Sequence, residues 1–133
     1  MEAIIAINKL GVIGVNGGLP WKSKDDLQHF KKLTQGKVLV VGRKTAEKLP
    51  NLKGRTVHVL SRGLRSLEAQ IAIIKPDFVI GGSEIYDLLL PLCDVIHVSL
   101  INDVTDGDTY YTIPDKLKKK CIYYEFNTNE NED

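Results

Sequence analysis

"DFVIGGSEIYDLLL", residues 77–90, carries the pattern that decides the architecture. A short apolar strand (77–82) runs into a pair of glycines, and a helix (83–90) follows at once. The same grammar recurs along the chain. "EAIIAI" (2–7), "KVLVVG" (37–42), "TVHVLS" (56–61), "DVIHVSLI" (94–101) and "KCIYYEF" (120–126) read as further strands. His58 in the third of these argues for a place near a sheet edge. "RKTAEKL" (43–49) and "SLEAQIAII" (66–74, with Ser66 as N-cap) read as helices, and Ser23 caps another that Gly36 stops. Strands alternating with helices predict an α/β fold on a mostly parallel sheet with helices on both faces. Ligands then belong beyond the carboxyl ends of the strands. Gly42, Gly81-Gly82 and the long glycine-bearing loop 8–22 all fall there.

The chain has 133 residues, which suits one domain; we place it at 1–126, with 127–133 ("NTNENED") an acidic tail expected to be disordered. Eighteen basic and 17 acidic side chains leave a net charge of +1, so no global attraction to nucleic acid or an anionic membrane is expected. Cys93 and Cys121 are too far apart for a metal-ligand spacing and read as reduced thiols; no metal is expected. There is no apolar run of about 20 residues and no signal-peptide pattern, which reads as a cytoplasmic chain.

Two glycine turns lead into helices, "VVGRKT" (40–45) and "VIGGSEIY" (79–86). Glycine lets backbone approach a ligand, and a helix start offers unpaired N–H groups to phosphate. Arg43, Lys44 and Thr45 stand at one turn and Ser83 at the other, a pairing suited to a dinucleotide pyrophosphate. Ser61, Arg62 and nearby Arg65 end the third strand, where guanidinium forks could read a further phosphate or simply face water. Asp26 is the residue that fits least well as structure. It shares a helix face with Phe30, beside Leu27, where a carboxylate loses water. It either supports the helix start or grips a ligand edge that presents paired N–H donors.

In order along the chain, "IGVNGGLPW" (13–21), "DLQHFK" (26–31), "VGRKT", "LSR" (60–62), "VIGGSEIY" and "DGDTYY" (106–111) resemble the motifs of dihydrofolate reductase. The resemblance implies NADPH and dihydrofolate in one cleft, with antifolates as further ligands. Hydride passes to pterin C6 while N5 gains a proton through water, giving tetrahydrofolate. It implies Asp26 and Trp21 as catalytic residues, Asp26 holding the 2-amino group and N3, and Trp21 placing a water. Ile5, Ala6, Leu27, Phe30, Leu49, Leu52, Ile80 and Ser99 accompany Asp26 around the substrate, and Arg55 pairs with the glutamate-tail carboxylate. The implied cofactor set is Ala6, Ile13, Gly14, Leu19, Gly42, Arg43, Lys44, Thr45, Leu60, Ser61, Arg62, Gly81, Gly82, Ser83, Glu84, Ile85 and Tyr86. Loop 8–22 closes over both ligands.

The chain departs from the family pattern between Leu60 and Phe78, where an extra strand and helix have no room, and after Phe126, where no closing strand is seen. A mixed sheet in the order 3-2-4-1-5-6 follows, with 120–126 beside 94–101 and antiparallel to it. The chain is expected to be a monomer, with that last strand as the route to any weak dimer. Two rival readings are a sister pyrimidine reductase of riboflavin synthesis and a non-catalytic structural or nucleotide-binding descendant. The intact Asp26, Trp21 and Arg55 speak for the enzyme.

Overall fold

A computed structural model describes residues 1–129. Its main sheet is built from β1 (Glu2–Asn8), β3 (Val38–Gly42), β4 (Thr56–Leu60), β5 (Phe78–Val79), β6 (Val95–Asn102) and β8 (Cys121–Asn127). The order is β4-β3-β5-β1-β6-β8, the arrangement expected from the sequence. Every neighbouring pair in it is parallel. That corrects the expectation of a mixed sheet with an antiparallel last strand. The connection 103–120 is long enough to return the chain to the far end of the sheet, so β8 enters in the direction of β6.

A second correction concerns loop 8–22. It contains β2 (Val12–Gly14), paired antiparallel with β7 (Thr109–Tyr110) in a small sheet of its own. The Asn8 side chain ties this unit together. Its Oδ1 accepts from the N–H of Leu10 and Val12, and its Nδ2 donates to the Thr105 carbonyl at 2.7 Å.

Alternation along the strands divides the core into two layers. Ala3, Ile5, Val40, Val79, Ile96 and Val98 face α3 (Leu67–Ile74) and α4 (Ser83–Leu89). Ile4, Leu39, Val41, Phe78 and Ile80 face the opposite way, against Phe30 and Leu33 of α1 (Lys24–Thr34). Helices on both faces are thus confirmed. The helix expected at 43–49 is a single turn, α2 (Arg43–Ala46).

β4 is an edge strand, with His58 exposed as expected and Val59 49% exposed. At the other edge, Ile122 and Tyr123 of β8 are exposed. The ordered chain also runs past the boundary placed at residue 126. Asn127 closes β8, and Asn129 is hydrogen-bonded to the start of α1. The rest of the expected tail lies outside the described residues. Cys93 and Cys121 are free thiols.

Candidate active site

The Ser23 hydroxyl caps α1 by accepting from the Asp26 N–H at 3.3 Å. This cap sets the phase of the first turn, so Asp25 faces solvent and Asp26 faces the sheet. Asp26 is 8% exposed. Burial pushes its carboxyl above the ordinary value of 3.8, and the Ser99 hydroxyl and His29 offset this only in part. Ser99 lies on β6 directly beside Ala6 of β1. Ala6 in turn packs with Trp21, Val12 and Ile101. The end of loop 8–22, the start of α1 and the upper ends of β1 and β6 therefore meet around one carboxylate. Among the described residues, the indole Nε1 of Trp21 is buried without a hydrogen-bond partner. An orphaned donor beside a buried carboxylate suits a small polar ligand.

Below Asp26, Phe30, Leu49, Leu52 and Ile80 join one apolar cluster. An open cleft of about 400 Å³ extends from Leu49 and Leu52 to Arg55, Val57 and Val59. The Arg55 guanidinium donates to the Thr34 hydroxyl at 3.3 Å and to the Lys53 carbonyl at 3.2 Å. Thr34, fully buried, donates in turn to the Phe30 carbonyl at 2.8 Å. Arg55 is held at the end of an apolar slot, where it can receive a carboxylate.

At the carboxyl ends of β3 and β5 the two glycine turns lock together, the Gly42 N–H donating to the Gly81 carbonyl at 2.9 Å. Only glycine fits this junction. A Cβ on Gly82 would lie 2.9 Å from Thr45 Oγ1, and Gly81 has φ +121°. Neither Gly42 nor Gly82 caps its helix through a side chain, so the first N–H groups there have no such partner. Arg43 and Lys44 are exposed beside them. Because α2 is one turn long, its dipole is small, and these charges and N–H groups carry the attraction for an anion. Glycine backbone, helix starts without side-chain caps and two cations fit the pyrophosphate of a dinucleotide.

A family model described as dihydrofolate reductase matches residues 1–133. The chain belongs to the dihydrofolate reductase family. It is 35% identical to dihydrofolate reductase type 8 of Escherichia coli, the match covering 100% of this chain and 90% of that protein. Identity to the Mycobacterium leprae dihydrofolate reductase is 40%, covering 80% of this chain and 72% of that one. A solved dihydrofolate reductase from Enterococcus faecalis, complexed with NADP(H) and RAB-propyl, superposes with a TM-score of 0.76 at 35% identity, covering 86% of this chain and 77% of its own. Membership places this chain among enzymes that reduce dihydrofolate with NADPH.

The dihydrofolate reductase pattern read from the sequence sorts as follows in space. Asp26, Ser99, Ala6 and Trp21 gather in one region, Phe30, Leu49, Leu52 and Ile80 share one apolar cluster, and Leu49, Leu52 and Arg55 line the cleft. Leu27 is 57% exposed on α1. Ile5 faces the opposite core layer, so only its backbone can serve a ligand on the α1 side. On the cofactor side, Gly14 is buried in β2, Ile13 packs against the α4-side core, and Leu19 is 48% exposed. Leu60, Ile85 and Tyr86 are core residues that support the turns from below. Tyr86 donates its hydroxyl to the Ile4 carbonyl at 2.6 Å, and burial raises its pKa. Arg62 donates to Glu84, an ion pair that links the two turns.

Sequence reasoning missed Thr34, Asn8 and Asn129, which act through hydrogen bonds between segments distant in the chain. The Asn129 N–H donates to the Lys22 carbonyl at 2.9 Å, and its Oδ1 accepts from the Lys24 N–H at 2.6 Å. This strap holds the junction between Trp21 and Asp26. Asn129→Ala should lower stability by about 0.5–1.5 kcal/mol, the usual worth of a hydrogen bond. The dihydrofolate KM should rise more than that for NADPH, as steady-state kinetics with each ligand varied in turn will show.

Proposed function

We propose that this chain catalyses the NADPH-dependent reduction of 7,8-dihydrofolate to 5,6,7,8-tetrahydrofolate, with Asp26 as the anchor of the pterin. The observation that carries the reading is a buried, solvent-deprived carboxylate, its affinity for protons raised, on the helix whose Phe30 joins Leu49 and Leu52, the two leucines that line a cleft with Arg55. A planar heterocycle with adjacent N–H donors would satisfy Asp26, the benzoyl portion would lie along Phe30, Leu49, Leu52 and Ile80, and the glutamate carboxylate would meet Arg55. Trp21 would hold a water through its indole N–H near the pterin carbonyl. Gly42, Arg43, Lys44, Thr45, Gly81, Gly82 and Ser83 would hold the pyrophosphate of NADPH, and Ser61 and Arg62 its 2′-phosphate. When bound, NADPH supplies the hydride; the chain's residues bind, orient and exclude water. Loop 8–22 would cover both ligands, its base fixed by the β2–β7 pairing. We read 1–129 as one reductase domain, working as a cytoplasmic monomer that antifolates inhibit. No helix among the described residues is long and apolar enough to cross a membrane.

Purified protein should consume NADPH, followed by its absorbance, only when dihydrofolate is present. Silence at high enzyme concentration, with both ligands bound, would overturn the enzyme reading. Arg62→Ala should reduce the preference for NADPH over NADH roughly ten- to a hundredfold, from the loss of a charged hydrogen bond of about 1.5–3 kcal/mol. The ratio of kcat/KM for the two cofactors measures this. An unchanged ratio would move the phosphate contact elsewhere, to Arg65 first.

A further inference from the structure

β4 ends at Leu60, and the chain turns through Ser61, Arg62, Gly63, Leu64 and Arg65 before α3 begins. This turn lies on the edge of the sheet, where no strand pairs with it. One side chain takes the place of that strand. Gln70, in α3, accepts from the Ser61 N–H through Oε1 at 3.2 Å and donates through Nε2 to the Ser61 carbonyl at 2.8 Å. The same Nε2 donates to the Arg65 carbonyl at 3.2 Å. A carboxamide offers an acceptor oxygen and a donor nitrogen in one plane, the pair of groups a neighbouring strand would present to one residue, and its second N–H is left for Arg65. The first and last residues of the turn are therefore closed onto a single nitrogen. α3 itself is anchored by its cap, with the Ser66 hydroxyl accepting from the Ala69 N–H at 3.1 Å. The side chains of Ser61, Arg62 and Arg65 stay exposed while their backbone is pinned.

We infer that Gln70 is a positioning residue for cofactor choice: it preorganises the Ser61–Arg65 turn to receive a phosphate monoester on the cofactor ribose. This rests on the reading that Ser61 and Arg62 contact the 2′-phosphate. Without the clamp, a turn containing Gly63 on an open sheet edge samples many conformations, and the phosphate must order it on binding. The clamp touches only Ser61 and Arg65, so its loss should act on the phosphate contact and leave the rest of the cofactor site unchanged.

The test uses the full chain with Gln70→Leu, which keeps size and removes all three hydrogen bonds. The probes are 2′,5′-ADP and 5′-AMP, titrated by calorimetry, followed by NADPH and NADH kinetics. The dissociation constant of 2′,5′-ADP should rise about tenfold, the worth of one to two lost hydrogen bonds, with that of 5′-AMP unchanged. The KM for NADPH should rise in step while kcat at saturation and the values for NADH hold. Gln70→Met also removes the hydrogen bonds at similar size, so it should behave like Gln70→Leu and replaces it if that variant does not fold. Equal weakening of both nucleotides would show a merely structural role and overturn the inference, as would unchanged discrimination. Arg62→Ala separates the two levels. If it loses discrimination while the Gln70 variants keep it, only the role of Gln70 falls; if it keeps discrimination, the phosphate reading falls and the inference with it.

Discussion

Asp26→Asn should cut turnover at neutral pH by about two orders of magnitude or more while making the free protein more stable. Both effects come from the same burial. The substitution preserves size and removes the charge that a bound, protonated pterin needs as its partner, a contribution in the usual range for an essential acid–base group. Activity should recover in part on acidification, where the substrate takes its proton from solvent. A folded-state carboxyl pKa raised above 3.8 means that folding favours the protonated form. Its contribution is present below the unfolded value and is lost as pH rises through the folded one, so at neutral pH ionised Asp26 destabilises the free protein. The melting temperatures of wild type and Asp26→Asn should therefore coincide in acid and separate, with the variant higher, as pH rises above the ordinary carboxyl range. kcat against pH and thermal melts against pH test the two halves independently. A variant with wild-type turnover at neutral pH would make Asp26 a helix-start residue and no more.

Leu39→Ala should behave in the opposite way, losing stability while keeping chemistry. Leu39 is fully buried on β3, in the layer that supports Phe30, Leu49 and Ile80. Truncating it removes apolar contact and leaves a cavity between sheet and α1, which costs about 2–5 kcal/mol. Against a total of roughly 5–15 kcal/mol for a domain of this kind, that is a large fraction. Chemical denaturation should show a much lower midpoint, and turnover per folded molecule below the transition should change by less than about threefold. If kcat fell as far as in Asp26→Asn, the slot would depend on core packing more tightly than the separation of layers implies.

Much of this was legible in the sequence for simple reasons. Periodicity and glycine placement are local, so the six strands and the helices between them could be read from segments such as 77–90, whereas the strand order came with the resemblance to the family. Asp26 stood out because a carboxylate on an apolar helix edge conflicts with the local pattern, and such conflicts mark sites. The matching motifs pointed to Trp21 and the two glycine turns, the resemblance added Arg55, and the family is confirmed along the chain. Tertiary structure alone decided the rest. The direction of β8 depends on the path of 103–120, which no local propensity encodes. The β2–β7 pairing joins residues nearly a hundred positions apart, each strand too short to announce itself. Ile5 and Ala6 are both apolar neighbours in sequence, yet the pleat sends one into the α4 layer and the other beside Trp21. Thr34 under Arg55, Asn129 on the start of α1 and Gln70 behind Ser61 are hydrogen bonds between a side chain and a distant segment. Such bonds depend on where folding brings the two groups, because a polar side chain in a sequence carries no sign of which backbone group it will meet.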